Sequence, residues 1–337
     1  MTVPTVSFPP VRRLGPDDLK RCVALSVDRG WSPEQSKWSL LLAASEVFGV
    51  DAPDGRGLAG AVVLTRWAAD YASVGMMLVA ARYGRRGLGR ALMEHLVRVA
   101  GDGATVTLFA TDMGRPLYEK LGFAPVRRNV SFVGRFRPPP PLNNSKKRGA
   151  PAPPASLASA ASPGSPAPEV SPAAAPAGLP AASPAGLTGS VRAATGADLP
   201  AILALDRAAF GADRGQILTR LPAFAQQVVV LVAGGDGAEG RAVAGYAATW
   251  RNTPASTVIG PLVAPDGEAA KRLVEALAAR ARTPVRLDLD PDRPELPGWA
   301  HARGLEPVGR TLVMARGSLT PRGTPGRLFT PISVALA

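Results

Sequence analysis

Between Ser73 and Leu92 the chain reads Ser-Val-Gly-Met-Met-Leu-Val-Ala-Ala-Arg-Tyr-Gly-Arg-Arg-Gly-Leu-Gly-Arg-Ala-Leu. An apolar run ends in a turn holding Gly84, Gly87 and Gly89 together with Arg85, Arg86 and Arg90. Glycine lets a backbone turn tightly and approach a ligand with no Cβ in the way. The start of a following helix offers unpaired N–H groups and the positive end of its dipole, and the arginines add full charges. Such a turn suits a phosphate or pyrophosphate. It is not the dinucleotide fingerprint, because no acidic residue closes a second strand about 20 positions later, nor a Walker loop, which ends Gly-Lys-Ser/Thr.

The elements that must position this turn follow from hydrophobic periodicity. A short strand near Val11–Leu14 leads to a helix from about Pro16, with Leu19, Cys22, Val23 and Ser26 on one face. A second helix is expected after Ser32-Pro33, with a capping side chain and Pro in its first turn. Strands are expected near Glu46–Val50, Leu58–Trp67 and Ala72–Val79. A helix over Leu88–Ala100 follows, its stripe formed by Leu88, Leu92, Leu96 and Val99. A strand at Val106–Thr111, a short helix at Arg115–Leu121 and strand material over Ala124–Phe136 complete the flank. The fold class is α/β, a mixed central sheet flanked by helices.

This plan occurs twice. Val11-Arg12-Arg13-Leu14-Gly15-Pro16-Asp17-Asp18-Leu19 is matched by Val191-Arg192-Ala193-Ala194-Thr195-Gly196-Ala197-Asp198-Leu199, and Leu121-Gly122-Phe123-Ala124-Pro125-Val126 by Arg303-Gly304-Leu305-Glu306-Pro307-Val308. Two matched landmarks at nearly equal separation indicate a duplication. Between the copies, Pro, Ala, Ser and Gly fill 41 of the 53 positions from Pro138 to Ser190. Such a stretch has almost nothing to bury and reads as a disordered tether. The expected division is 1–137, a linker over 138–190, and 191–337.

The glycine–arginine turn resembles the acetyl-CoA loop of the GCN5-related N-acetyltransferase (GNAT) superfamily, Arg/Gln-x-x-Gly-x-Gly/Ala after a central strand. Leu108-Phe109-Ala110-Thr111-Asp112 and Arg115-Pro116-Leu117-Tyr118-Glu119-Lys120-Leu121-Gly122-Phe123 resemble the next motif of that family, ending Leu-Tyr-x-x-Leu-Gly-Phe. Gly30-Trp31 and the degenerate second half resemble the tandem subfamily. One position departs: Gly84 stands where the loop pattern has Arg or Gln, and Arg85 beside it supplies a charge.

The resemblance implies an acetyl-CoA-dependent N-acetyltransferase in 1–137, moving an acetyl group to a primary amine by direct attack. Backbone N–H groups across Arg85, Arg86, Gly87, Leu88, Gly89 and Arg90 are then expected to hold the pyrophosphate. Met77, Leu78 and Val79 are expected to pair by main chain with the pantetheine arm. Tyr118 matches the tyrosine that protonates the departing thiolate; the alternative is that it only packs on the sheet beside Leu117 and Leu121. Glu46, Asp70 and Asp112 are candidate bases, none favoured, and Asp112 is also a candidate N-cap for the helix carrying Tyr118. Trp31 and Trp38 bracket a helix on the acceptor side and either floor a pocket or pack. His95, His301 and Cys22 read as structural.

The second copy lacks the machinery. After Leu262-Val263-Ala264 its loop is about three residues shorter, Asp266 and Glu268 replace arginines, and Ala300 stands at the tyrosine position. It is expected to be non-catalytic, shaping the acceptor site or mediating a homodimer.

Composition narrows the remaining classes. One Cys and two His are too few for a disulfide framework or a Cys/His zinc site, so no metal is expected. No apolar run approaches the roughly 18 residues of a membrane span, and Met1–Pro10 lacks a signal-peptide pattern. A cytoplasmic protein is expected. The net charge of +13 is spread over both flanks rather than forming a stripe with aromatic readers, so nucleic acid is not expected as a partner. The acceptor expected is a small-molecule or peptide amine. The alternative reading is a non-catalytic acyl-CoA-binding sensor or scaffold.

Overall fold

Leu58–Ala68 is buried along nearly its whole length, as is Tyr71–Val79 after the turn at Ala69-Asp70. Strands covered on both faces need elements packed on both, and the computed structural model has them. It describes residues 7–139, 189–233, 242–253, 255–318 and 322–336. The expected tether lies, apart from its ends, outside these residues.

The first flank runs β1 (Arg12–Arg13), α1 (Leu19–Asp28), α2 (Gln35–Ala44), β2 (Glu46–Asp51), β3 (Leu58–Ala68), β4 (Tyr71–Val79), α3 (Leu88–Ala100), β5 (Thr105–Ala110), α4 (Arg115–Lys120) and β6 (Ala124–Gly134). The second runs β7 (Gly189–Ala193), α5 (Leu199–Phe210), α6 (Gly215–Leu218), α7 (Leu221–Phe224), β8 (Ala225–Ala233), β9 (Val243–Thr253), β10 (Ser256–Val263), α8 (Gly267–Ala278), β11 (Val285–Leu289), α9 (Pro297–Ala302), β12 (Glu306–Arg316) and β13 (Leu328–Thr330). One expected start is corrected. Ser32-Pro33 does not open α2; Glu34 stands at its cap without a side-chain cap bond and pairs with Lys37 instead.

The duplication is visible in matched pins. Arg12 meets Asp18 and Arg192 meets Asp198, each at 2.7 Å, and each carboxylate also accepts a backbone N–H three residues earlier. Gly122 and Gly304 follow α4 and α9 with φ of 82° and 86°, the left-handed exit that glycine takes without strain.

The two flanks do not form separate sheets. The order β1-β2-β3-β4-β5-β12-β6-β11-β10-β9-β8-β7 is continuous. Each copy gives its last long strand to the other: β12 pairs with β5, β6 with β11, and β6 with β12 about a pseudo-twofold axis. β6 and β12 are 11 residues each, long enough for each to bond a strand of either copy along opposite edges.

Gly60 on β3 lies beneath Leu88 and Leu92 of α3 on one face of the sheet, while Phe210 of α5 stacks against Trp67 and Tyr71 on the other. The core of the first flank also takes in Ile217, Leu218, Ala248, Met314, Ile332 and Leu336 from the second. The copies share apolar burial as well as hydrogen bonds, which is the dominant favourable term in such an association.

Candidate active site

β4 pairs with β5 only as far as Val74↔Leu108. Beyond that point β4 continues along β3, with Ala61↔Leu78 and Gly60↔Val79 in register, while β5 diverges. A bulge at Met76, whose φ is 48°, shifts the β3–β4 register between Ala61 and Val63 and re-aims the strand end. Met77, Leu78 and Val79 therefore present a main-chain edge that β5 does not use. Gly89 lets α3 pack closely against this strand end. A Cβ at Gly89 would stand 3.1 Å from Met77 Cε, 3.6 Å from Leu117 Cδ2 and 3.7 Å from Val79 Cγ2. The parting of β4 from β5 leaves a split in the sheet, the slot, beside Gly89 of α3 and Leu117 of α4.

The turn above the slot is built differently from the sequence expectation. Gly84 has an ordinary φ of −58°, and Gly89 lies inside α3. Arg85 and Gly87 are the left-handed residues, with φ of 60° and 79°. Left-handed backbone costs a non-glycine residue roughly 1–2 kcal/mol, and such strain persists where the surroundings fix it, often at ligand sites. Turns of this kind gather N–H groups into a concavity for an anion. Gly87 is also the N-cap of α3, and Leu88 after it is buried. The side chains of Arg85 and Arg86 are exposed, and Arg90 lies 3.8 Å from Glu94. At the loop's entry, Asp28 Oδ2 accepts the Ala81 N–H at 2.6 Å, tying the end of α1 to the exit of β4. Nothing in the sequence marks Asp28 for this part.

Tyr118 is almost fully buried on α4, beside Phe123. A Cβ at Gly114 would stand 2.9 Å from the Tyr118 ring, so Gly114 is needed for its placement. Among the described residues no group bonds the Tyr118 hydroxyl. Burial alone pushes the phenol up to about 12, which keeps it protonated.

The candidate bases fare differently. Glu46 is engaged by Arg66 at 2.6 Å and Asp70 by Arg322 at 2.7 Å, the latter at the end of β4 remote from the slot. Asp112 is exposed, and the N-cap role is corrected: Gly114 caps α4, its N–H donating to Thr111 Oγ1 at 3.3 Å. Trp38 is a core residue whose Nε1 donates to Ser26 Oγ at 2.8 Å, joining α2 to α1; Trp31 is exposed. His95 packs edge-on against Phe48, its pKa lowered by burial and then by Arg98. Burial pushes the Cys22 thiol up to about 12, an unreactive state. His301 lies on the surface beside Glu306.

In the second copy, β10 and β11 pair only at Thr257↔Val285 and Val258↔Arg286. The opening that follows is filled by the chain itself. β13 runs antiparallel along β10 with Leu262↔Thr330 and Val263↔Leu328, and the Ala264 N–H donates to the Arg327 carbonyl at 3.0 Å. Asp266 caps α8 by accepting the Ala269 N–H at 2.8 Å, so a carboxylate sits where the first copy has its open turn. Ala300, at the tyrosine position, is fully buried. The segment after β13 crosses to the first copy: a Cβ at Gly260 would collide with the Pro331 carbonyl, and one at Gly75 with the Ala335 carbonyl. A three-residue strand of this kind carries no readable period in the sequence.

A split central strand pair, a left-handed turn capping α3 and a duplicated mixed sheet define an acetyltransferase-type fold. Residues 44–125 and 202–330 each match a family model described as an acetyltransferase (GNAT) domain. The chain belongs to the GNAT superfamily and is a tandem member of it. It is 24% identical over 224 residues to the uncharacterized N-acetyltransferase YitH of Bacillus subtilis, an alignment covering 66% of this chain and 62% of that protein. A proposed acetyltransferase from Pyrococcus horikoshii has the same fold, with a TM-score of 0.69 and 17% identity over 100% of this chain and 99% of its own. So does a tandem GNAT protein from the clavulanic acid biosynthesis pathway, at TM-score 0.58 and 17% identity over 93% and 99%. Among the described residues, no helix is long and apolar enough to cross a membrane, and no three His, Cys, Asp or Glu side chains converge as a metal site.

Proposed function

We propose that the chain is an acetyl-CoA-dependent N-acetyltransferase in which the copy within 1–137 works and the copy within 191–337 serves as its structural partner. The carrying observation is the contrast between the two slots: β4 and β5 part and leave an edge free, whereas β13 occupies the equivalent edge of β10.

The residues fit acetyl-CoA, which when bound supplies an activated acetyl thioester. The N–H groups of the turn from Arg85 to Arg90 are assigned to the pyrophosphate, and three arginines there make the local potential positive, which favours an anion. The free edge of Met77–Val79 takes an extended arm as an added strand. The same edge offers N–H groups to an oxygen that gains negative charge. Tyr118, whose burial keeps it protonated at working pH, is assigned the proton that the departing sulfur takes up. No carboxylate is assigned as base; Glu46 and Asp70 are neutralised by arginines, and the amine is expected to lose its proton to water. The cysteine is buried and is given no covalent role.

The test is thiol release from acetyl-CoA across a panel of amines, followed with a thiol reagent. Release that depends on the amine supports the transferase. Tight acetyl-CoA binding with no amine-dependent release on any amine would favour a sensor instead.

A further inference from the structure

On the face of the sheet opposite α3 lies a cavity of about 470 Å³, lined by β5, β6 and α5 and by the segment from Thr324 to Pro331. This volume lies in the range of small-molecule sites. Its position relates it to the slot. Phe109 lines it, and Phe109 is the residue just past Leu108, where β4 and β5 part. Asp288, which occupies the matching position on β11, lines it from the other side, next to the filled slot of the second copy. Phe109 is thus the lining residue nearest the open slot of the first copy, as Asp288 is for the filled one.

The lining has two characters. Tyr71, Phe210 and Phe329 supply an aromatic surface, and Tyr71 and Phe210 lie against one another at 5.7 Å. Cations surround that surface. Arg293 sits 4.0 Å over the Phe329 ring with its donors on the carbonyls of Leu328 and Gly326, and Arg322 sits 4.9 Å over Tyr71 and pairs with Asp70. Arg128 is matched by Asp292, and Arg214 by Asp206. Arg127 is exposed, lines the cavity, and among the described residues its side chain has no hydrogen-bonding or ionic partner. On the acidic side, Asp288 is already committed to Arg286 at 2.9 Å and to Ser131 at 2.6 Å. Asp290 accepts the Asp292 N–H and keeps its second oxygen. An apolar floor with one uncommitted guanidinium fits a ligand having an apolar or aromatic body and a carboxylate. Arginine reads that group with two parallel bonds.

We infer that this cavity is the acceptor pocket and that the acceptor is a carboxylate-bearing amine with an apolar body, an amino-acid-like molecule whose carboxylate meets Arg127. This rests on the proposed acetyl transfer, because it takes Phe109 to adjoin the reacting end of the slot. The second copy then has a direct use, since it contributes Phe210 and the lining segment that carries Phe329.

The test separates the inference from that reading by measuring binding rather than turnover. N-acetyltryptophan and N-acetyltryptamine share body and amide and differ in the carboxylate. Calorimetry on the full chain is expected to show the carboxylated compound binding at least about tenfold more tightly, the ratio for a charge-assisted hydrogen bond of roughly 1.4 kcal/mol or more. Arg127→Ala is expected to abolish the difference and to leave the acetyl-CoA dissociation constant unchanged, the second readout showing an intact fold. Equal binding of the two compounds, absence of binding, or a preference that survives Arg127→Ala overturns the inference while leaving acetyl-CoA binding, and so the proposed transfer, standing. Loss of acetyl-CoA binding in the wild-type chain would instead remove the proposed transfer.

Discussion

Replacing Tyr118 with Phe separates catalysis from structure, because the two roles of this side chain predict different results. The ring packs beside Phe123 and against Gly114, and no described group bonds its hydroxyl. Removing an oxygen that has no protein partner leaves nothing unsatisfied behind, so stability is expected to change by less than about 1 kcal/mol. The slot edge at Met77–Val79 and the turn at Arg85–Arg90 are untouched, so acetyl-CoA affinity is expected to hold. Turnover is expected to fall by about 10²-fold, within the usual contribution of a positioned acid. The pH profile adds a second check. With its pKa pushed up to about 12, the phenol stays protonated up to about that pH, so no alkaline loss of activity below pH 11 should disappear in Tyr118→Phe. The assays are urea unfolding, calorimetry with acetyl-CoA, and thiol release against pH. A variant with wild-type turnover, or one that loses stability and affinity together, would refute the assignment.

Three further outcomes follow from particular contacts. Gly87→Ala meets no atom within 4 Å but must hold a φ of 79°, so it is expected to cost about 1 kcal/mol of stability and to weaken acetyl-CoA binding, seen by unfolding and calorimetry. Asp206 and Arg214 form a buried pair joined by the Tyr246 hydroxyl; Asp206→Ala leaves an uncompensated guanidinium and is expected to cost about 3–5 kcal/mol in urea unfolding. Hydrogen bonding from Arg12 lowers Asp18 to about 2 from 3.8. Its stabilising contribution is complete above pH 3.8 and lost as pH falls toward 2, about 1 kcal/mol after solvent screening, so Asp18→Asn is expected to flatten that part of the stability–pH curve.

Periodicity made the scaffold of each copy legible. The stripe through Leu88, Leu92, Leu96 and Val99 marks a helix that runs over Leu88–Ala100, and the apolar runs of β3 and β4 allow little else. The exchange of β6 and β12 was not legible, because a strand's own pattern names the face it buries and not which copy bonds its edges. Glycine positions suggested where the anion turn lies but not its dihedrals: Arg85, rather than Gly84, takes the left-handed conformation. β13 is not legible in the sequence for a different reason. Leu328-Phe329-Thr330 is too short for any period, and its role exists only because β10 and β11 part. Asp28 and Gly114 act through contacts to Ala81 and Tyr118 that follow from packing rather than from motif.

The contrast between an open first slot and a filled second one is tested most directly by titrating acetyl-CoA into the full-length chain by calorimetry and reading the stoichiometry. Binding of one acetyl-CoA per chain is the predicted result, because β13 and Asp266 leave the second copy neither a free strand edge nor an anion-binding turn. Two equivalents per chain, or none at millimolar ligand, would contradict it.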